Sequence, residues 1–278
     1  MNRPAGGRLA SARGLVIDLE PLRRDPDFRH LWAGQSINVI GNQITRVALP
    51  YQVYVLTGST LALAALVLVQ LVPLLVLSLG GGAIADALDR RRVLITAQLG
   101  LAGTSLALVF LSLQGPAALP FIFVIAFVAA SFAAFENPAR SSAIPRLVPA
   151  ERLRAAIALG QLSYNGGSVL GPAIAGALIA TLGTAGAFGV DVVTFCVSLL
   201  MLARMRPIAP LGTPVRPSIA AIREGLRFVR VRRLILSTFA IDLNAMVFGS
   251  PRTLYPALAL DVFKTGPIGL GLLTAAPA

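Results

Sequence analysis

Among the ionisable residues inside or at the edges of long apolar runs are Arg46, Glu136, Asp191, Asp242 and Arg252. A charged group in hydrocarbon is costly, so it faces a cavity, a partner or a transported ion. Arginine stays protonated there because its pKa exceeds about 12, so Arg46 requires an acid or a bound anion. Glu136 and Asp242 are the candidate acids and the candidate carriers of a coupling proton. Glu136 fits a second role equally, an i,i+4 pair with Arg140 at the end of its run. Asp191, near the start of its run, reads as an aid to helix entry. Asn42 and Gln43 lie one turn before Arg46 and add amides to the same candidate cavity.

Two short stretches concentrate further chemistry. "GGAIADALDRRRVL" (81–94) sets Asp86 and Asp89 beside Arg90, Arg91 and Arg92 in a gap between apolar runs. An aspartate there can pair with the arginines or with a helix N-terminus and so latch one end of a helix bundle. Gly82 allows close helix approach. "GGSVLGPAIAG" (166–176) spaces Gly167, Gly171 and Gly176 about one turn apart around Pro172. Small residues at that interval let two helices meet at backbone distance, and the proline bends the helix.

The elements that must position these residues are membrane spans. The chain has 278 residues, 56% hydrophobic and 13% charged, with a mean hydropathy of +0.78. Ordinary soluble domains carry about a quarter charged residues. Seven apolar runs reach spanning length: 31–56, 60–86, 93–113, 119–138, 154–182, 185–203 and 234–262, and an eighth begins near Gly266. A helix needs about 20 such residues to cross a bilayer. Arg46 then lies about 15 residues into the first run, roughly 22 Å along a helix.

The net charge of +12 tempts a nucleic-acid reading, but 21 of the 24 basic residues fall in the N-terminal tail and the connections after runs two, four and six. The intervening connections, "TGS", "QGPAA" and "GT", hold none. That is the positive-inside pattern, which makes the N-terminus cytoplasmic and leaves no excess to explain by nucleic acid. The first 27 residues are polar and charged, with no cleavable signal visible. One histidine, His30, and one cysteine, Cys196, leave no metal set of the usual type and no disulfide. No nucleophile–base pair indicates an enzyme and nothing indicates a cofactor.

The chain divides into a basic cytoplasmic tail (1–27), a six-helix transmembrane bundle (28–204), a cytoplasmic linker (205–233) and the start of a second bundle (234–278). The linker opens with Pro207, Pro210, Pro214 and Pro217. It continues as "SIAAIREGLRFVR", with Ile219, Ile222, Leu226 and Val229 on one face and Arg223, Arg227 and Arg230 on the other, an amphipathic helix for the inner leaflet. "RVALP" (46–50) followed by "TGS" recurs as "RTLYP" (252–256) followed by "TGP". Arg252 is thus the repeat counterpart of Arg46, and "GSPR" (249–252) marks a helix break of the kind transporters place near binding sites. By this register the chain stops inside a helix at "GLGLLTAAPA", near the counterpart of Pro73.

These stretches resemble the major facilitator superfamily. In "GAIADALDRR" Gly82, Asp86, Arg90 and Arg91 match its cytoplasmic loop signature, with Ala87 and Asp89 departing from it. "GGSVLGPAIAG" is similar to the fifth-helix motif of its exporters at Gly167, Gly171, Pro172 and Gly176, with Ala175 departing. "FRHLWAGQSINVIGNQI", "NPARSSAIPRLVP" and "FGVDVVTFCVSLL" look like the bacterial branch that exports siderophores, macrolides and other drugs. The resemblance implies an all-α membrane protein of the major facilitator fold, truncated after one to two helices of the second bundle. It implies a secondary active, proton-coupled exporter working by alternating access in the bacterial plasma membrane, a monomer when full length. The expected partners are a small-molecule substrate, anionic if Arg46 and Arg252 line one cavity, together with protons and the lipid bilayer. The alternatives are a transport-inactive truncated fragment and a non-transport receptor or scaffold.

Overall fold

A computed structural model describes residues 18–87, 89–208, 232, 237–238, 241 and 251–277, without the side chains of 75, 78–87, 116, 117 and 251. The expected linker helix and Asp242 lie outside the described residues, as does most of the run 234–262. Of Gly82 and Asp86 only the backbone is described.

After a short helix α1 (Glu20–Arg24) come α2 (Pro26–Thr57), α3 (Thr60–Ala87), α4 (Arg90–Ser112), α5 (Leu119–Leu147) and α6 (Leu153–Ala203). A 3₁₀ turn at Pro251–Leu254 leads through α7 (Tyr255–Ala257) and a π-helical turn (Leu258–Val262) to α8 (Gly266–Ala275). No strand occurs among the described residues. Among them, α4, α5 and the stretch Ala150–Ala203 are long and apolar enough to cross a membrane, with Thr60–Leu74 and α8 as shorter apolar helices. Pro50, Pro73, Pro138, Pro145 and Pro172 all sit inside helices. Membrane helices tolerate them because neighbouring groups take up the freed carbonyls.

At 51 residues α6 exceeds one crossing, since a helix of that length would extend about 75 Å. It breaks at Gly183, whose φ of 70° and ψ of −178° suit glycine alone. The contacts show two antiparallel arms. Along 153–182 the partners on α2 rise together: Trp32 with Leu159, Ser36 with Ser163, Gln43 with Ser168. Along 184–203 they run oppositely: Gly34 meets Ser198 and Met201, while Gly41 meets Asp191 and Thr194. The break falls between the apolar runs 154–182 and 185–203, as their separation requires.

The main core gathers Ile44, Val47, Leu63, Leu108, Ile122 and Phe188 from five of these segments. The outer faces stay apolar: Leu61, Phe110, Phe121 and Leu200 are all exposed. Water would penalise such a surface and lipid does not.

Candidate functional site

Polar side chains inside this bundle lie on a regular ladder. Asn38, Thr45 and Gln52 are seven residues apart on α2, and Gln98, Ser105 and Ser112 are seven apart on α4. Each pair meets at one depth. At the first rung the amides of Asn38 and Gln98 donate to Glu136 Oε1, at 3.5 and 3.2 Å. The same oxygen receives Arg140 Nη2 at 2.9 Å, and Glu136 is 3% exposed. At the second rung Thr45 Oγ1 and Ser105 Oγ donate to Asp191 Oδ2, at 2.6 and 2.7 Å. At the third Ser112 Oγ reaches Gln52 Oε1 at 3.1 Å. Seven residues of helix rise about 10.5 Å, so the ladder covers about 21 Å of the roughly 30 Å hydrocarbon thickness.

Glu136 thus pairs with Arg140, as its spacing suggested, and Arg46 does not compensate it. Arg46 is exposed, and among the described residues it has no ion pair or hydrogen bond. Thr45, its neighbour in sequence, carries the contact to the acid. Arg252 is exposed as well and donates to the Pro277 carbonyl at 3.4 Å. No interaction joins Arg46 to Arg252. Gln43 donates to Ser168 Oγ at 2.9 Å, and Asn42 is partly buried. The described part of the expected break at 249–252 is the 3₁₀ turn at Pro251–Leu254.

Asp191 departs most from its sequence reading. It lies eight residues past Gly183 and is 1% exposed, so it does not serve the helix entrance. Burial needs three helices to converge, and no local spacing announces that.

Near the first rung a cavity of about 70 Å³ opens between α2, α5 and the first arm of α6. Gln35, Arg140, Trp32, Ser163 and Tyr164 are among its lining residues. It has room for about two waters. Gln35 is buried, with neither end of its amide hydrogen-bonded among the described residues.

The arginine-rich loop binds within the first bundle. Arg91 Nε and Nη2 each donate at 2.8 Å, to the carbonyls of Leu202 and Ala203 at the end of α6. The Leu202 carbonyl also accepts from the Met205 amide at 3.2 Å, and the last carbonyls of a helix lack the usual i+4 partner. Asp89 caps α4 by accepting from the Arg91 amide at 2.9 Å, and it also accepts from the Ile208 amide at 3.1 Å. Arg90 is buried, and its backbone amide reaches the Ile208 carbonyl at 3.4 Å. Sequence reasoning treated Asp89 as a departure from a motif. An aspartate directly before an apolar helix is itself an N-cap signal and could have identified it. At the same end Arg152 pairs with Asp25 at 2.7 Å, and the Arg206 amide donates to Asp27 at 3.1 Å.

The glycine motif on α6 is a packing surface on two sides. A Cβ at Gly167 would overlap Val39, and one at Gly171 would come 2.5 Å from Gln43 Cβ. At Gly176 it would meet the Pro267 carbonyl at 2.6 Å and the Gly271 Cα at 3.1 Å. The Pro172 carbonyl in turn lies against Gly271. Helices α6 and α8 therefore meet at backbone distance. Nearby in the chain, the Tyr54 hydroxyl at the end of α2 donates to the Asp261 carboxylate in the π-helical turn.

Comparison with known proteins adds to this geometry. A family model described as transmembrane secretion effector matches residues 17–277. Enterobactin exporters of Shigella boydii serotype 18 and Escherichia coli O127:H6 are each 28% identical over 262 residues. The match covers 94% of this chain and 62% of theirs, so the chain spans less than two thirds of those relatives. Among solved structures, a POT family transporter in complex with a thioalcohol-conjugated peptide superposes with a TM-score of 0.56 at 18% identity. That match covers 86% of this chain and 52% of the other, and it speaks to the fold alone.

Proposed function

We propose, from the premise that this chain belongs to the transmembrane secretion effector family of the major facilitator superfamily, that it serves the proton-coupled export of a small molecule by alternating access. The observation that carries the reading is the similarity to enterobactin exporters over 94% of the chain. The substrate class it supports is a siderophore or drug. An exposed, unpaired arginine in a membrane helix favours an acid-bearing compound, because an anion would complete Arg46. Residues 28–204 act as the first bundle, 205–233 as the linker and 234–278 as the start of a second bundle. The 1–27 tail and the arginine-rich end face the cytoplasm of a bacterial cell. In this reading Asp86 and the 90–91 arginines belong to an inner gate, and the Gly171–Gly176 surface of α6 is where the two bundles move against each other.

The test is efflux from cells lacking their own exporter for the compound. Cells expressing the chain are loaded with a catecholate siderophore, and its release is followed with and without an uncoupler. Release that requires both the chain and the proton gradient is expected. Equal retention with and without the chain would overturn the proposal.

A further inference from the structure

The middle rung of the ladder differs from its neighbours. The first rung holds a compensated acid, since Arg140 pairs with Glu136. The third rung holds no ionisable group. Asp191 on the second rung is buried, and among the described residues it forms no ion pair. The ionisable groups on the helices around it are few. On α2 they are Asp27, Arg29 and His30 at its start, Arg46, exposed and without an ion pair among the described residues, and Tyr51 and Tyr54 beyond it. On α4 there are only Arg90, Arg91 and Arg92 at its start, and on α5 Glu136, Arg140 and Arg146. The arm 153–182 has Arg154 and Tyr164, and the arm 184–203 has only Cys196 besides Asp191. An ionised carboxylate held in hydrocarbon without a counter-ion is expensive, and the usual relief is a proton.

The hydroxyls around Asp191 are arranged to serve both forms. Thr45 and Ser105 both donate to Oδ2, so that oxygen is satisfied with or without a proton on its neighbour. Thr194 gives its hydrogen to the Asp191 backbone carbonyl at 2.8 Å. The same hydroxyl can instead turn its one hydrogen to Asp191 Oδ1, 3.4 Å away. With the hydrogen on the backbone carbonyl the hydroxyl oxygen can accept a proton held on Oδ1, and with the hydrogen turned to Oδ1 it donates to the bare carboxylate. Gly41 completes the cage, since a Cβ there would overlap both Asp191 Oδ1 and Thr194 Oγ1.

We propose that Asp191 is a proton-binding site, taking up one proton at Oδ1 inside the cage of Thr45, Ser105, Thr194 and Gly41, and that this proton drives export. The step is a plain acid–base exchange. A proton from water on one side of the membrane binds the carboxylate to give the neutral acid, and release to water on the other side restores the carboxylate. Driving export rests on the exporter reading, whereas the proton site itself does not.

The site is tested by infrared spectroscopy of the purified 278-residue chain in detergent, without substrate, between about pH 4 and about pH 9. A carboxylic-acid C=O band should grow on acidification, vanish in Asp191→Asn and persist in Glu136→Gln. In Thr45→Val and Ser105→Ala the band should move to higher frequency, because each removes one hydrogen bond to the carboxyl group. Should Asp191→Asn fail to fold, these two milder variants decide. A band unmoved in both, or one surviving in a folded Asp191→Asn, overturns the site, as does the absence of any titrating band. Coupling is tested separately by efflux. Asp191→Asn should lower gradient-driven release at least about tenfold, equivalent to about 1.4 kcal/mol, while substrate–substrate exchange continues. Gradient-driven release at the parent rate overturns the coupling role. A parent chain with a titrating Asp191 but no efflux sinks the exporter reading and leaves the proton site supported.

Discussion

Gly176 and Gly271 meet backbone to backbone: a Cβ on Gly271 would lie 3.0 Å from the Gly176 Cα and 2.5 Å from the Pro172 carbonyl oxygen. Neither neighbour is a flexible side chain that could move aside. Gly271→Leu and Gly176→Leu are expected to force α8 from α6, at roughly 1–3 kcal/mol each. Proteolysis of the 251–277 segment should accelerate in both variants, while Gly103→Leu, where a Cβ meets nothing within 4 Å, should leave it unchanged.

Arg140→Gln strands Glu136 with two amide donors. Breaking a buried ion pair by removing one member costs about 3–5 kcal/mol. The Arg140 side chain is 24% exposed, so a loss nearer about 2 kcal/mol is expected. Thermal unfolding in detergent measures it. The Glu136→Gln/Arg140→Gln double variant should lose less than the two single losses combined, because no unpaired charge remains.

Arg91→Ala removes a charged donor from two carbonyls at the end of α6, and Asp89→Ala removes the α4 cap together with a tie to Ile208. A lost N-cap costs about 1 kcal/mol, and the two carbonyl bonds from a charged donor about as much or somewhat more. Amide hydrogen exchange at 200–208 should quicken in both variants. Unchanged protection there would show that the loop does not hold this end.

Arg46→Gln and Arg46→Lys separate a substrate role from a structural one. Arg46 is exposed and lacks a hydrogen-bonded partner among the described residues, so neither change should lower the melting temperature. Export of an anionic compound should fall in Arg46→Gln and partly recover in Arg46→Lys, with a cationic compound unaffected. Equal loss for both compounds would remove the anion preference.

Orientation is checked by cysteine labelling in a Cys196→Ser background. Gln114 and Leu182 are exposed and lie at the bundle end opposite Arg92. Cysteines at 114 and 182 should react with an impermeant reagent on intact cells, and one at 92 should react only after permeabilisation. The reverse pattern would invert the proposed topology.

The described helices between 31 and 203 were legible because apolar length delimits them, down to the break near Gly183 that separates the fifth run from the sixth. Glu136 with Arg140 was legible because i,i+4 spacing is local. Asp191 was not, because its surroundings come from residues 45, 105 and 194 on three separate segments. The ladder was present in the sequence as spacing, yet a polar residue every seventh place on an apolar helix has meaning only beside a second helix in the same register. Arg46 was expected to face an acid, and it stands beside the residue that does.

That register has a consequence for how the gene can change. Each rung joins two helices at matched heights, with seven residues between rungs on both α2 and α4. Losing one codon between Asn38 and Thr45 would rotate everything beyond it by about 100° and shift it by about 1.5 Å. Thr45 and Gln52 would leave the interior together, with Asn38 still in place. A codon gained before Thr45 would restore both rungs at once. Point substitutions can weaken one rung at a time, but insertions and deletions act on whole stretches of the ladder. Length variation in this protein should therefore be confined to the connections between helices.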